Sequence, residues 1–311
     1  MDYRIAVSST SFCKNSTLKE ELLKVFPQSS FHQKKTDLSE EELTRFYAGA
    51  EGILVGTEKI SKTVLEKNPQ IKILSKYGVG CDNIDFQALK AHNVEFRMVE
   101  GVNRTCVAEL TLMFLLGLAH NLPLVGYPLK SGIWNKDGGT LLREKTVGII
   151  GCGHVGSALL ELLPPFQCEV LVNDIKDKSE IAEQFGARLA EKREIFRKAD
   201  FITLHVPLND TTKKLISTQE LSMMKPTAFV INTCRGEVID IKALKSALME
   251  SKIRGAAMDV FESEPPTDVE LLSLPNLLVT PHIGGNAIEA RLAMGRAAIE
   301  CLENYFGSIP S

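Results

Sequence analysis

No stretch of this sequence stays apolar for the roughly 18–20 residues that span a bilayer. The most apolar one, Val107 to Leu118, is interrupted by Glu109, Thr111 and Gly117. The amino terminus lacks the apolar core of a signal peptide: Met-Asp-Tyr-Arg is soon followed by Ser8-Ser-Thr-Ser11. Basic blocks are missing too. The densest basic spots are the pairs Lys34-Lys35 and Lys213-Lys214, in a chain of net charge −3. That excludes a dedicated nucleic-acid surface. The 7 cysteines are odd in number and include no CxxC, so neither a disulfide framework nor a zinc knuckle is expected and no metal site is assigned. A reducing, cytoplasmic compartment is the default for such a chain. Internal repeats and low-complexity segments are absent as well.

What remains is ordinary globular material, 44% hydrophobic and 24% charged over 311 residues. This length predicts two domains. Short apolar runs alternate with amphipathic ones almost throughout. Ile5–Val7, Gly52–Val55, Ile71–Ser75, Val94–Phe96, Thr146–Ile150, Glu169–Asn173, Phe201–Leu204, Ala228–Asn232 and Leu277–Val279 read as strands. They are unbroken and often β-branched, as parallel strands buried on both faces are. Leu18–Phe26, Glu40–Tyr47, His154–Leu163 and Ile241–Glu250 read as helices between them. This alternation predicts an α/β protein of βαβ units and open parallel sheets. It breaks once, where Asn103 to Asn121 reads as one long helix, apolar almost all round. Such a helix must be covered on every side, between domains or between subunits. A first domain boundary is expected near 98–102.

The strand Thr146–Ile150 runs into Gly151-Cys-Gly153-His-Val-Gly156 and then a helical pattern. A lone GxGxxG is also how any tight strand–helix turn can read. Here the strand before, the helix after and an acid at the end of the next strand complete the dinucleotide-binding context. Gly151 serves the tight turn, Gly153 the approach of a pyrophosphate, and Gly156 the packing of helix on strand. The helix N-terminus faces the anion. Asp174 lies 23 residues past Gly151, suited to both ribose hydroxyls of NAD and repelling to a 2′-phosphate. Lys176 and Lys178 beside it leave room for NADP as the second choice.

Three more strand ends carry chemistry: Arg235 in Asn-Thr-Cys-Arg-Gly, Asp259 and Glu264 in Met-Asp-Val-Phe-Glu-Ser-Glu-Pro, and His282 in Thr-Pro-His-Ile-Gly-Gly. Ligands of open α/β sheets bind at the carboxyl ends of strands. Reducing a 2-keto acid needs a proton donor near neutrality, which a histidine supplies. A carboxylate can orient that ring, and a guanidinium can grip the substrate carboxylate with two bonds. Taken singly, each residue also has an ordinary role: a His after Pro caps or packs, and an Arg at a strand end is solvated.

These motifs together with Lys76-Tyr-Gly-Val-Gly-Cys-Asp-Asn-Ile-Asp85, Asn103-Arg-Thr-Cys-Val-Ala-Glu109 and His205-Val-Pro-Leu208 resemble the D-isomer-specific 2-hydroxyacid dehydrogenase family. The likeness is close to D-3-phosphoglycerate dehydrogenases that lack a regulatory domain. It covers essentially the whole chain. It implies a Rossmann dinucleotide-binding domain, 99–285, inserted into a smaller flavodoxin-like substrate domain, 1–98 with 286–311. It also implies that helix 103–121 forms the core of a homodimer. By the same resemblance Arg235 binds the substrate, His282 is the acid/base and Glu264 its partner. Gly151, Gly153, His154, Val155, Gly156 and Asp174 hold pyrophosphate and ribose, and His205, Val206 and Pro207 flank the adenine side. Thr233, Cys234 and Asp259 surround the nicotinamide, and Gly284 and Gly285 complete the cofactor set. Lys76, Val79 and Gly80 join Arg235 on the substrate.

The resemblance implies an NAD-dependent oxidoreductase moving a hydride to or from C2 of a small D-2-hydroxy or 2-keto acid. The substrate would be 3-phosphoglycerate or, alternatively, glyoxylate or hydroxypyruvate. Phosphoglycerate enzymes commonly carry two arginines where this chain has Gly56 and Lys76. The first change removes a phosphate ligand, and the second keeps the charge but loses the bidentate fork. A rival of another class is an NAD(H)-sensing protein like the corepressors that resemble this fold. Those carry long tails, whereas 26 residues follow Gly285 here, too few for a tail or an appended regulatory domain.

Overall fold

Apolar runs of three to five residues become strands whose successive side chains enter opposite cores. The computed structural model describes residues 1–34 and 36–308. They form two units, residues 1–103 with 285 onward, and residues 104–284.

In the first unit β1 (Ile5–Val7), β2 (Ser30–Phe31), β3 (Gly52–Val55), β4 (Ile73–Lys76) and β5 (Glu95–Arg97) make a parallel sheet in the order β2-β1-β3-β4-β5. This is the flavodoxin-like order. Ile5, Val7, Leu54 and Ile73 face the helices Ser16–Val25 and Ile288–Gly307, through Leu18, Leu22, Leu302 and Phe306. Their neighbours Ala6, Ile53, Val55 and Leu74 face the other way, onto Leu43, Val64, Leu65 and Leu89. Each such Leu or Phe, wholly buried, stabilises the unit by about 1.5–3 kcal/mol. The last helix is therefore built into this unit. The Ser75 hydroxyl donates to the Ala298 carbonyl at 2.8 Å, and a Cβ on Gly295 would lie 2.2 Å from Leu18 Cδ1.

In the second unit β6 (Thr146–Ile150), β7 (Glu169–Asn173), β8 (Arg188–Leu189), β9 (Phe201–Leu204), β10 (Phe229–Asn232), β11 (Gly255–Met258) and β12 (Leu277–Val279) are all parallel. Their order is β12-β11-β10-β9-β6-β7-β8, a doubly wound sheet whose direction of winding reverses between β6 and β9. The expected α/β class with a Rossmann domain and a flavodoxin-like domain holds. Ile150, Ile202, Leu204, Val230 and Met258 pack on Ile195, Phe196, Leu244 and Leu248. Val147, Ile149, Val172, Ile231 and Ala257 pack on Phe114, Leu115, Leu118, Leu159 and Leu160.

The long helix lies within two residues of its expected span at each end. It runs Arg104–Ala119, and a second helix, Leu122–Lys130, leaves it at 79°. Asn121 makes the break, with φ 54°, a left-handed conformation that asparagine tolerates. The Ala119 carbonyl then accepts from Thr140 N at 2.7 Å instead of continuing a helix. Neither helix is covered all round: Met113, Tyr127 and Leu129 are exposed. No single helix among the described residues is long and apolar enough to cross a membrane.

Candidate active site

The glycine loop begins where β6 ends. Gly151 has φ +92°, and a Cβ there would lie 2.3 Å from the His205 carbonyl oxygen. A Cβ on Gly156 would lie 2.1 Å from the Gly151 carbonyl oxygen, whereas one on Gly153 would meet nothing within 4 Å. Two glycines thus close the loop on backbone, and the third leaves open space. The helix His154–Leu162 starts at Gly153 with no capping side chain. Its first N–H groups and the positive end of its dipole suit an anion. Asp174, just past β7, accepts from Cys152 N at 2.7 Å and from Lys176 N at 2.8 Å. One oxygen serves each bond, so lone pairs remain for hydroxyl donors. These features match what a dinucleotide needs.

His205 follows β9 across the switch point. Its Nε2 lies 2.9 Å from the Thr203 hydroxyl, and burial depresses its pKa to about 3. The ring is neutral at any working pH. Val206 and Pro207 continue the same segment, and the Pro207 carbonyl accepts from the Thr212 hydroxyl at 2.6 Å.

Beyond β10 the chain turns sharply through Thr233, Cys234 and Arg235. Asn232, fully buried, shapes that turn. Its Oδ1 accepts from Cys234 N at 3.0 Å and from the Cys234 thiol at 3.2 Å, and its Nδ2 donates to the Arg235 carbonyl at 2.8 Å. Arg235 Nη1 in turn donates to the Cys234 carbonyl at 2.7 Å. Burial raises the Cys234 thiol to about 11, so it stays protonated. Thr111 donates its hydroxyl proton to the Val107 carbonyl, so the Thr233 hydroxyl donates to Thr111 across 3.1 Å.

Asp259, 1% exposed, follows β11. Its carboxylate accepts from the Thr280 hydroxyl at 2.6 Å, Ile283 N at 2.7 Å and Gly284 N at 2.8 Å. Its carbonyl accepts from His282 N at 2.8 Å. This clamp holds His282 at φ 53°, a conformation that costs a non-glycine residue of order 1–3 kcal/mol. The His282 Nδ1–H donates to Glu264 Oε2 at 2.7 Å, and Phe261 N donates to Glu264 Oε1 at 3.0 Å. The carboxylate thereby fixes the tautomer, leaving Nε2 as the nitrogen that exchanges a proton.

The structure therefore gathers Gly151 to Gly156, Asp174 and His205 to Pro207 at the ends of β6, β7 and β9. Thr233 to Arg235, Asp259, Glu264, His282 and Gly284 lie past the ends of β10, β11 and β12 in the same parallel sheet. Lys76, Val79, Gly80 and Gly285 belong to the other unit. There Lys76 closes β4, 5% exposed, with its ammonium on the Gly56 carbonyl. A Cβ on Gly56 would lie 2.7 Å from Ser9 Oγ. Gly285 sits under the Asn103 amide. Sequence reading missed Asn232, Thr280, Thr111 and Thr203. For Asn232, Thr203 and Thr280 the available signal was one polar residue inside or just after an apolar strand, and for Thr111 one hydroxyl in an apolar helix.

Comparison with known proteins gives a consistent picture. Residues 112–284 match the family model "D-isomer specific 2-hydroxyacid dehydrogenase, NAD binding domain". The chain is 37% identical to a D-3-phosphoglycerate dehydrogenase of Methanocaldococcus jannaschii over 91% of its own length, spanning 55% of that protein. It is 36% identical to a glyoxylate reductase of Thermococcus litoralis, over 82% of this chain and 80% of the relative. An acyclic imino acid reductase solved with NADPH and D-Arg superposes with TM-score 0.86 at 26% identity, covering 99% of this chain and 98% of that one.

Proposed function

Because the chain belongs to the D-isomer specific 2-hydroxyacid dehydrogenase family, we propose that it interconverts a small D-2-hydroxy acid and its 2-keto acid with NAD. The observation that carries this reading is the 2.7 Å bond from His282 Nδ1 to Glu264. It makes the ring a proton carrier whose other nitrogen serves the substrate oxygen. A bound nicotinamide would supply the hydride to C2 in reduction and accept it from C2 in oxidation. The side chains do the rest. His282 gives the carbonyl oxygen its proton in reduction and takes the hydroxyl proton in oxidation. Glu264 holds the imidazole in the useful tautomer and stabilises the imidazolium. Arg235 grips the substrate carboxylate through its fork, with Lys76 and the backbone of Val79 and Gly80 as further substrate ligands.

For the cofactor, His154 and Val155 at the helix start take the pyrophosphate, and Asp174 takes the ribose hydroxyls. His205 to Pro207 flank the adenine side. Thr233, Cys234, Gly284 and Gly285 contact the nicotinamide side. Asp259 already accepts three bonds from residues 280 to 284, so its main role is to hold His282 in place. The second substrate reading, glyoxylate or hydroxypyruvate, draws on the glycine at 56, whose packing against Ser9 leaves no side chain there to meet a phosphate.

The test is NADH oxidation by the purified protein with glyoxylate, hydroxypyruvate, phosphohydroxypyruvate and pyruvate. Turnover of at least one, with NADH preferred over NADPH, is expected. Tight NADH binding without turnover of any would favour the dinucleotide-sensing rival, and a tenfold preference for NADPH would overturn the role given to Asp174.

A further inference from the structure

A single hydroxyl stands inside an apolar wall of the second unit. Of the buried residues in the helix Arg104–Ala119, Thr111 alone is polar, and it is fully buried. Around it the helix packs Ala108, Phe114 and Leu115 into one core with Ile231 of β10 and Ala257 of β11. Valine would have the same shape with no polar atom to bury. What the hydroxyl adds is two bonds. It donates to the Val107 carbonyl at 2.8 Å, one turn back on its own helix, and it lies 3.1 Å from the Thr233 hydroxyl. Its one proton is spent on Val107, so Thr233 is the donor of the second bond.

That assignment decides what Thr233 can offer. A free hydroxyl rotates and serves as donor or acceptor. This one has given its proton to Thr111 and keeps only lone pairs, so it is an acceptor. Its backbone is held as well, because Asn232 Oδ1 accepts from Cys234 N at 3.0 Å. Thr233 directly follows β10, across the switch point between β6 and β9 from Asp174 at the end of β7. A dinucleotide with its adenosine half at Asp174 carries its other half over β9, β10 and β11. The start of the long helix stands at this corner too. A Cβ on Gly284 would lie 3.5 Å from Val107 Cγ2 and 2.9 Å from Asp259 Oδ2. Val107, Thr111, Thr233, Asp259 and Gly284 all belong to the second unit, so the arrangement lies wholly within it.

We propose that Thr111 is a positioning residue for the cofactor: it takes the Thr233 hydroxyl proton and so presents the Thr233 oxygen as a fixed acceptor for the carboxamide NH2 of nicotinamide. The carboxamide carries a donor on one side and an acceptor on the other. An oxygen that cannot turn into a donor holds the NH2 and turns the carbonyl away. This inference rests on the dinucleotide reading of the glycine loop and Asp174.

Calorimetry compares NADH with reduced 3-acetylpyridine adenine dinucleotide, in which a methyl ketone replaces the amide. The acceptor oxygen stays and the NH2 is lost. Wild type, Thr111→Val, Thr111→Ser and Thr233→Val are titrated with each, and thermal melts verify folding. Wild type should bind NADH about three- to tenfold more tightly than the analogue, the worth of one neutral hydrogen bond. Thr111→Val frees the Thr233 proton to meet the ketone oxygen, so the preference should vanish. Thr233→Val should lose it too, and Thr111→Ser should keep it. A role confined to packing would weaken both ligands alike and leave their ratio unchanged. A wild type that does not discriminate, or a Thr111→Val that discriminates as wild type does, would overturn the proposal. Thr111→Ala takes the place of Thr111→Val in the same comparison if the valine variant does not fold. Failure of wild type to bind either dinucleotide would sink the cofactor reading together with the proposal. Binding of both with an unchanged ratio in the variants would end the proposal alone.

Discussion

A single absent methyl group has opposite consequences at two positions of the loop after β6. At Gly156 a Cβ would lie 2.1 Å from a backbone oxygen that cannot move without opening the loop, whereas at Gly153 it would enter open space. Gly156→Ala should therefore cost about 1–3 kcal/mol of stability, as overpacking does. Gly153→Ala should melt like wild type yet bind NADH at least tenfold more weakly, because its methyl occupies the space a pyrophosphate needs. Thermal melts with a fluorescence titration of NADH check both, and equal losses of melting temperature would refute the distinction. These glycines and Asp174 are legible in the sequence because their spacing follows from the turn itself. Asn232 and Thr280 are not. Their work is to bond a turn from inside, and neither periodicity nor charge reveals which turn a buried amide or hydroxyl will close.

At the scale of elements, six exposed apolar side chains fall within residues 122–141 of the second unit. Leu122, Tyr127, Leu129, Ile133, Trp134 and Leu141 all stand out to solvent, with Trp134 77% and Tyr127 61% exposed. Large apolar side chains concentrated at the surface are what an interface uses. We propose that this stretch covers the same surface of a second copy, as the resemblance implies for the helix just before it. Replacing Tyr127 and Trp134 together by Glu should turn a dimer into a monomer on light scattering at micromolar concentration. A wild-type protein that is already monomeric there would contradict the proposal. The sequence showed the preceding helix as apolar and ending near Asn121, but not that Asn121 enters a left-handed conformation from which a second helix starts. Of β11 it showed only the end, before Asp259. Gly255-Ala-Ala-Met has no β-branched residue to mark a strand, and at its first position a Cβ would lie 2.6 Å from the Asn276 carbonyl oxygen. The two-residue edge strands β2 and β8 carry too little pattern to read.

For the whole molecule, alternation of strand and helix was enough to predict the α/β class, and the motifs were enough to predict the family. The order of strands within each sheet was not readable from alternation, because it is set by which apolar faces meet. The central claim is narrower than the fold: a clamped histidine, oriented by a carboxylate, carries the substrate's proton. It is tested by the steady-state rate of NADH oxidation with the best 2-keto acid, wild type against His282→Ala. The account predicts a loss of kcat on the order of 10²–10⁴, with NADH affinity changed no more than a few-fold. A variant that turns over at the wild-type rate would contradict it.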